Sequence, residues 1–584
     1  MGNESCKGIG VSEGIRIAKA FVYRQPVVHE VKSISADCAD AEAARFQSAV
    51  KNAVQAVEDL IARSANMLDE KQIGILKGQK SILADPAYVP EIEKRIRKQL
   101  IPAEQAVKQV TEQFAALFEN MPNPYMKERA ADVRDAGRRL VQILSGEAGN
   151  TLSSIHEKVI LVADDLSASD TIQLDRQYVL GFATEKGGKT AHTSIFAKSM
   201  GIPAVVGVTD LLDHVHSGDT LILDGENGEC IISPDEKTLK IYREKMEKEN
   251  RQRAILEKFS KQKAVLADGK RMIVAANIGA AKDTDFCLNQ GAEAVGLMRT
   301  EQIFLSRTSA PTEKEQFKEY KAVAEAFPSS GTGSAIIRTL DIGGDKETSY
   351  LSIPKEKNPF LGYRAIRLCL DQKELFLTQL KAILRASAFG NLRIMFPMIS
   401  GHEELTAAKN MLQEAKSQLD KAGIAYDAKI PVGIMVEIPS AALMARTLAK
   451  EVDFFSIGTN DLVQYTLAVD RGNEKISYLY DYFNPAVISL IRHVAQAAHD
   501  SHISVGMCGG MAGDPLAIPL LTGLGLDELS MAAGAIPQAK YILSKVNTAD
   551  CRVLADSIAD CTTPQAIRIR AQAFAKEHGL LMDS

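Results

Sequence analysis

Residues 432–437 read Val-Gly-Ile-Met-Val-Glu, and residues 454–459 read Phe-Phe-Ser-Ile-Gly-Thr, with a helix-favouring stretch between them. Each segment is an almost continuous apolar run, which is typical of a strand buried on both faces of a parallel sheet. The same alternation of strand and amphipathic helix runs from residue 270 onward. It yields further candidate strands at 272–277, 294–299, 335–340, 392–397 and 503–508, and a weaker one near 363–367.

Eight strands separated by helices over about 310 residues predict a (β/α)₈ TIM barrel. A doubly wound open sheet is the alternative that the same pattern allows. Both folds bind ligands at the carboxyl ends of their strands, so the residues that follow each strand are the first place to look for a site.

Polar side chains follow most of the candidate strands. They are Arg299, Arg338, Glu437, the pair Asn460-Asp461, and Cys508. Barrel enzymes build their active sites from these positions. Two further arginines, Arg364 and Arg471, would add to the positive charge of the same face. Because guanidinium groups match phosphate and carboxylate bidentately, the pattern predicts a small polyanionic substrate that bears both groups.

Glu437 and Asp461 end consecutive strands and could present two carboxylates to one point. Hard oxygen ligands fit Mg²⁺, with Mn²⁺ as a second choice. The alternative is that Asp461 caps the helix it precedes. Cys508 lies between Gly506-Met507 and Gly509-Gly510, unlike a thiol packed among large side chains. Such a thiol could give or take a proton at carbon, although a buried inert cysteine is the competing interpretation.

The N-terminal half has a different pattern of apolar residues. Residues 15–22 read as a strand, residues 37–146 carry apolar positions at three- and four-residue steps, and short β-branched segments return at 158–163, 178–183 and 219–224. The pattern predicts an antiparallel helical bundle inserted into an α/β unit. The charged, proline-free segment 236–251 then predicts either a solvated helix or a stiff connecting helix between mobile domains.

His192 lies in Gly187-Gly188-Lys189-Thr190-Ala191-His192-Thr193-Ser194, just before a helix-prone segment. Two glycines allow close approach of a ligand, and a helix N-terminus favours an anion. An imidazole at this point could carry a phosphoryl group, although a structural histidine is the alternative interpretation of the segment by itself.

Composition limits the classes of function. The chain has 584 residues, a net charge of -5 and 46% hydrophobic residues, so it is long enough for several domains and has no global positive field for nucleic acid. It contains no apolar run of 18 residues and no secretory signal, and its eight cysteines form no Cys-x-x-Cys pair. These features predict a reduced cytoplasmic protein that neither enters a membrane nor binds nucleic acid.

Long motifs identify a family. The chain resembles Enzyme I of the bacterial sugar phosphotransferase system over nearly its whole length. The resemblance is carried by the His192 segment, by the barrel segment 453–471, and by segments 338–346 and 358–364. It implies phosphoenolpyruvate as the substrate, with Mg²⁺ on Glu437 and Asp461. It also implies that the phosphate and carboxylate are held by Arg299, Arg338, Arg364, Asn460 and Arg471.

The resemblance also assigns steps and partners. His192 would accept the phosphoryl group and pass it to a histidine of the carrier protein HPr, while Cys508 would protonate the enolpyruvate. One imidazole then faces two partners in turn, so we expect its domain to swing about the charged connector. The barrel would form a homodimer. The implied domains are residues 1–24 and 148–234 for the phosphohistidine α/β domain, 25–147 for the HPr-binding bundle, 235–267 for the linker, and 268–584 for the barrel.

Two departures from the family pattern and three rival families bear on these expectations. Ala191 replaces a serine common before the histidine, and Gly510 stands where glutamate is usual, which puts the proton-donor step in doubt. Pyruvate phosphate dikinase and phosphoenolpyruvate synthase need an ATP-grasp domain for which the 150 residues before the histidine domain leave no room. The nitrogen-related paralogue, which usually has a sensory domain, and a non-catalytic regulatory scaffold remain as alternatives.

Overall fold

The structure is a computed structural model that falls into two compact units, residues 1–251 and 252–584. The description below covers residues 3–24, 33–64, 70–121, 124–146, 152, 155–175, 177–188, 193–194, 197, 201–305, 307–328, 333–344, 348, 350–351, 353–473 and 475–581. Among these residues, no helix is both long enough and apolar enough to span a membrane.

The first unit contains one eight-stranded mixed sheet. Its strands, in chain order, are β1 Glu4–Lys7, β2 Ile9–Ser12, β3 Ile15–Tyr23, β4 Val159–Ala163, β5 Val179–Thr184, β6 Ala204–Val206, β7 Thr220–Asp224 and β8 Glu229–Ile232. They lie in the order β1-β8-β7-β3-β4-β5-β6-β2. Since only Gly8 separates β1 from β2, one continuous chain segment supplies both edges of the sheet. The short helices Ala168–Ile172 and Leu211–His214 accompany these strands.

A helical bundle lies between β3 and β4 in the sequence, which confirms the predicted insertion. Its helices span Ala39–Ser64, Glu70–Leu83, Tyr88–Gln99, Ala103–Glu119 and Pro124–Leu144, and a 3₁₀ turn at Ala36–Cys38 precedes them. The bundle has its own buried core, which includes Phe46, Leu76, Tyr88 and Leu140. The apolar positions that recur at three- and four-residue steps therefore face the bundle interior and pack the helices together.

The predicted connecting segment is a single helix, Glu236–Ser260, that crosses the boundary between the two units. Only Leu239 and Tyr242 of this helix are buried. Its stability therefore rests more on helix propensity and solvated charges than on packing.

The second unit is a closed barrel of eight parallel strands, as the sequence predicts. The strands are β9 Ile273–Ile278, β10 Val295–Met298, β11 Ala335–Arg338, β12 Leu392–Phe396, β13 Val432–Val436, β14 Phe454–Ile457, β15 Ser504–Met507 and β16 Glu528–Met531. The α-helices of this unit after the connector are Thr284–Asn289, Glu301–Phe304, Glu313–Glu325, Ile366–Asp371, Lys373–Ser387, His402–Ala422, Pro439–Leu443, Ala445–Leu448, Thr459–Leu467, Pro485–Asp500, Ala517–Gly523, Ile536–Lys545, Thr548–Ser557 and Pro564–Glu577.

The prediction of a strand near residues 363–367 is wrong. Ala365 has a φ of 51° and precedes the helix Ile366–Asp371, while the Arg364 side chain is buried in ion pairs. The eighth strand is β16, which pairs with β15 and β9 and closes the barrel. It lacks an apolar run because Glu528 and Ser530 face the interior, where Ser530 Oγ donates to Asn277 Oδ1 at 2.7 Å.

Side chains along the barrel strands alternate between the barrel interior and the core that packs against the helices. Leu297, Ile336, Met395 and Met435 form one buried cluster with Phe454 and Cys508, and the residues beside them in sequence pack in the large core against the helices. Because side chains alternate between the two faces of a strand, Arg338 and Glu437 lie on the same interior face as Ile336 and Met435. The pleat therefore directs both polar groups to the carboxyl end of the barrel interior.

Candidate active site

A cavity of about 280 Å³ lies in the barrel unit. Its lining is Leu297, Arg299, Arg338, Asp341, Arg364, Met435, Glu437, Gly458, Asn460, Asp461, Arg471, Cys508 and Gly509. All eight barrel residues predicted from the sequence are therefore brought together at one site. Arg338 ends β11, and Arg299, Glu437 and Cys508 each follow a strand directly. Asn460 and Asp461 lie in the first turn of the helix Thr459–Leu467, whereas Arg364 and Arg471 come from the segments that connect β11 to β12 and β14 to β15.

Two of the four arginines are buried, and we refer to Arg338 and Arg364 as the buried pair. Arg338 is 5% exposed and Arg364 is 2% exposed. Asp341 lies between them: its Oδ2 is 3.1 Å from Arg338 Nη1, and its Oδ1 accepts a hydrogen bond from Arg364 Nη2 at 2.7 Å. Arg338 Nη2 also donates to Glu301. Both guanidinium groups are thus held by carboxylates within the protein.

The charge of the buried pair survives burial. Burial by itself lowers the pKa of Arg338, but the carboxylates of Glu301 and Asp341 outweigh it and raise that pKa. The same balance between burial and the carboxylates of Asp341 and Asp461 raises the pKa of Arg364. Two fixed positive charges therefore face the cavity. Because both guanidinium groups are already protonated, the cavity can bind an anion without taking up a proton.

The other two arginines, Arg299 and Arg471, are solvent-exposed, and we refer to them as the exposed pair. Asn460 lies near them in the lining, where its Oδ1 accepts from the Gly510 backbone N–H at 3.0 Å and its carbonyl accepts from Tyr480 OH at 3.0 Å. Long exposed side chains can adjust to a ligand, since only a small part of each is fixed by packing.

Glu437 and Asp461 form the acidic part of the cavity. Glu437 is 1% exposed, and its Oε1 accepts from the Met398 backbone N–H at 2.7 Å. Burial, followed by the carboxylates of Asp461 and Asp341, raises the pKa of Glu437. Asp461 Oδ1 is buried and has no hydrogen-bond partner among the described residues, and it lies 3.9 Å from Arg364 Nη1. An oxygen without a partner beside a second carboxylate is a suitable ligand pair for a hard divalent cation.

Cys508 is 2% exposed, and its Sγ lies 3.8 Å from the Ile457 carbonyl oxygen. Burial raises the pKa of this thiol to about 11, so the group is protonated at neutral pH and can donate a proton. The next residue must be glycine, because a Cβ at Gly509 would lie 1.8 Å from Thr459 Oγ1. At Gly510 a Cβ would meet only Asn460 Oδ1, at 3.4 Å, so this position has room for a side chain.

Sequence reasoning missed three residues of the site. Glu301 and Asp341 hold the buried pair, and Tyr465 OH donates to the Phe360 carbonyl at 2.5 Å while it accepts from Arg364 Nη1 at 3.4 Å. Asp341 and Tyr465 stand inside the motifs that carry the family resemblance, and Glu301 is two residues after Arg299. An acidic residue two or three positions after a strand-end arginine is the signal that could have identified Glu301 and Asp341.

His192 and residues 189–191 lie outside the described residues. Beside them, Gly187 has a φ of 111°, and Ser194 is buried with its Oγ donating to the Gly188 carbonyl at 2.7 Å. A positive φ is a conformation that glycine adopts without strain, which explains the residue type at the turn before the histidine.

Comparisons with known proteins point to one family. Residues 253–548 match the family model described as PEP-utilising enzyme, PEP-binding domain. Residues 155–228 match the mobile domain of PEP-utilising enzymes, and residues 7–129 match their N-terminal domain.

Curated relatives match almost end to end. The phosphoenolpyruvate-protein phosphotransferase of Bacillus subtilis (strain 168) is 46% identical over 575 residues, which is 98% of this chain and 99% of the relative. The proteins of the same name from Staphylococcus carnosus (strain TM300) and Enterococcus faecalis (strain ATCC 700802 / V583) are 43% and 42% identical. Each of those two alignments covers 98% of this chain, together with 99% and 100% of the respective relative.

Proposed function

The chain belongs to the family of phosphoenolpyruvate-protein phosphotransferases, and we propose that His192 carries the phosphoryl group from phosphoenolpyruvate to a histidine of the carrier protein HPr. Pyruvate is the product that leaves, and the transfer is the first step of sugar uptake by the phosphotransferase system. The observation that carries the proposal is the convergence of four arginines and three carboxylates on one cavity of about 280 Å³. That set of charges fits a small molecule with a phosphate and a carboxylate.

Each part of the cavity has a role in this proposal. The buried pair donates hydrogen bonds to the phosphoryl oxygens, where charge must be offset as the bond to the enol oxygen breaks. The exposed pair and Asn460 hold the carboxylate and the remaining phosphate oxygen. Glu437 and Asp461 would hold Mg²⁺, or Mn²⁺ in its place, which supplies positive charge that orients and neutralises the phosphate. The unpartnered Asp461 oxygen supports this assignment.

Proton movements complete the proposed reaction. His192 attacks phosphorus as a neutral imidazole, in line with the departing enol oxygen. The enolate of pyruvate then takes a proton at carbon from the Cys508 thiol, whose raised pKa keeps that proton available at neutral pH. The departing group becomes pyruvate, and the thiolate regains a proton from solvent.

The partners and location in the proposal come from the family. The bundle between β3 and β4 docks HPr, the barrel joins two copies into a homodimer, and the reaction takes place in the cytoplasm. A helical surface that is independent of the barrel core supports the first of these, because a carrier could bind it without disturbing the substrate cavity. The net charge of -5 gives no reason to add a nucleic-acid partner.

Labelling with ³²P-phosphoenolpyruvate, with and without Mg²⁺ and purified HPr, tests the proposal. We expect acid-labile label on the full chain, dependent on Mg²⁺ and transferred to HPr, together with stoichiometric pyruvate. His192→Ala should abolish the label and leave phosphoenolpyruvate binding intact. Stoichiometric label on that variant would refute His192 as acceptor. Binding without pyruvate release from the parent chain would favour the regulatory scaffold.

A second experiment isolates the HPr step. Asp461→Ala in the full chain should accept label from phosphorylated HPr at His192 but not from phosphoenolpyruvate, because the reverse transfer does not use the barrel cavity. If phosphorylated HPr failed to label this variant while still labelling the parent chain, the two transfers would share one site and the proposed separation would be wrong.

A further inference from the structure

Asp341 occupies the space between the two arginines of the buried pair. It is 1% exposed, and each of its carboxylate oxygens faces a different guanidinium: Oδ2 lies 3.1 Å from Arg338 Nη1, and Oδ1 lies 2.7 Å from Arg364 Nη2. The two arginines are 26 positions apart in the sequence and lie on different segments. One side chain therefore sets the spacing between them.

Arg338 is held from two sides. Its Nη2 donates to Glu301 and its Nη1 faces Asp341, so rotation of the guanidinium would break one of the two contacts. The Nε atoms of both Arg338 and Arg364 are buried and have no hydrogen-bond partner within the part of the chain that the structure describes. The pair is thus fixed by carboxylates while each arginine keeps one N–H donor that no described residue uses.

We propose that Asp341 is a positioning residue for phosphoryl transfer, which holds Arg338 and Arg364 at the separation that the transferring phosphoryl group requires. The inference rests on the proposed function of the cavity. Asp341 itself does not contact the substrate: it acts through the two guanidinium groups. A fixed pair of donors stabilises the transition state without rearranging when charge moves, whereas two mobile arginines must first be brought together.

Removal of the negative charge of Asp341 should have different effects on binding and on rate, and these effects distinguish a positioning role from a structural one. An asparagine leaves two neighbouring cations with less compensating negative charge, which strengthens the attraction of the cavity for an anion. It also removes the carboxylate that bridges the two guanidinium groups, because an amide nitrogen cannot accept a hydrogen bond in place of the second oxygen. Positioning therefore predicts a fall in the rate of transfer with binding retained or tightened. A purely structural ion pair predicts instead a smaller active fraction with unchanged rate per active molecule.

The matched control is Glu313, in the helix Glu313–Glu325 on the outside of the same barrel. Its carboxylate also bridges two cations, lying 2.5 Å from Arg385 Nη1 and 3.5 Å from Lys381 Nζ, and it is not part of the cavity lining. Glu313→Gln removes one carboxylate from between two positive charges, as Asp341→Asn does, without touching the site.

The experiment compares Asp341→Asn, Asp341→Glu and Glu313→Gln in the full chain. Single-turnover labelling by phosphoenolpyruvate gives the transfer rate per active molecule, and titration of phosphoenolpyruvate in a His192→Ala background gives its dissociation constant. We expect Asp341→Asn to slow transfer about 100-fold, while the dissociation constant stays within about threefold or decreases. Asp341→Glu should recover part of the loss, and Glu313→Gln should behave as the parent.

Three outcomes would overturn the inference: transfer by Asp341→Asn at nearly the parent rate, a loss of binding as large as the loss of rate, or an equal loss in Glu313→Gln. If Asp341→Asn does not fold, Glu301→Gln replaces it, since that variant frees only one side of Arg338 and must slow transfer with binding retained. A parent chain that fails to label at His192 would instead contradict the proposed function, so the two failures are distinguishable.

Discussion

The buried pair and the exposed pair are the same residue type placed in opposite surroundings within one cavity. Arg338 and Arg364 are fixed by Glu301 and Asp341 before any ligand binds, whereas Arg299 and Arg471 reach the cavity from solvent. Burial with paired carboxylates makes a rigid, always-charged donor set, and exposure makes an adjustable one. A count of arginines therefore does not describe an anion site, because we expect fixed donors to act on the rate of transfer and mobile donors to act mainly on substrate binding.

The largest loss of turnover is expected from a substitution in the acidic part of the cavity. Asp461→Asn keeps the size of the side chain but removes the negative charge beside the buried pair, and we expect Mg²⁺-dependent turnover to fall about 1,000-fold. Pyruvate release at several Mg²⁺ concentrations measures it. Asp470→Asn is the control, since Asp470 lies just after the helix that carries Asp461 and is absent from the cavity lining. Turnover of Asp461→Asn with the metal dependence of the parent would show that the metal is held elsewhere.

Arg338→Met should lose both stability and activity. Removal of the buried guanidinium takes away a positive charge that pairs with Glu301 and Asp341, although Asp341 keeps Arg364, and we expect a loss of about 3 kcal/mol of unfolding free energy and a fall in turnover of about 100-fold. Chemical denaturation and pyruvate assays give the two quantities. Arg446→Met is the comparison, because Arg446 is exposed and lies 3.8 Å from Asp500, so its loss should cost about 1 kcal/mol or less. Equal costs for the two would remove the distinction made here between buried and exposed arginines.

Arg471→Met tests the exposed pair. Arg471 is exposed, so we expect only a small change in the free energy of unfolding and a KM for phosphoenolpyruvate that rises about 10-fold, with kcat much less affected. The increase should shrink at high salt, which screens exposed charges. Arg446→Met removes an exposed charge that is absent from the cavity lining and should leave KM unchanged. A large loss of stability in Arg471→Met would place this arginine with the buried pair.

The raised pKa of Cys508, about 11, predicts how the rate of alkylation of this thiol depends on pH. Because the thiolate is the reactive form, the thiol stays protonated at neutral pH, and its rate of reaction with iodoacetamide should rise about tenfold per pH unit between pH 7 and 9. Mass spectrometry of the Cys508 peptide measures the rate, with the exposed Cys38 as an accessible reference thiol. A rate that levels off below pH 9 would mean that the site stabilises the thiolate, and Cys508 would then be a poor proton donor.

Gly510→Glu should give the smallest change. The Cβ position of Gly510 is open, so a glutamate side chain should fit, and we expect a change of a few-fold in kcat with KM unaltered. Gly510→Gln has the same size without the charge and should restore the parent value. A change confined to KM would mean that the position acts on substrate binding and not on the proton of the thiol.

Most of the barrel could be predicted because its signal is local. Apolar runs at 432–437 and 454–459 became β13 and β14, and the polar residues after them became cavity residues because parallel strands place their carboxyl ends together. The eighth strand could not be found in this way. Glu528 and Ser530 alternate with Leu529 and Met531, so β16 resembles an exposed strand, although its polar residues face the barrel interior.

The sequence by itself determined the class of fold, the inserted bundle and the residue types of the site, because strand and helix periods and strand-end residues are properties of short segments. Only the tertiary structure decided which arginines are buried, and it alone placed Asp341 between Arg338 and Arg364 and Glu301 against Arg338. The contact between Glu301 and Arg338 joins two βα units, and it forms only when β10 and β11 pair in the barrel. Asp341 and Arg364 belong to the one long loop after β11, so their contact forms only when that loop folds back over the end of the strand.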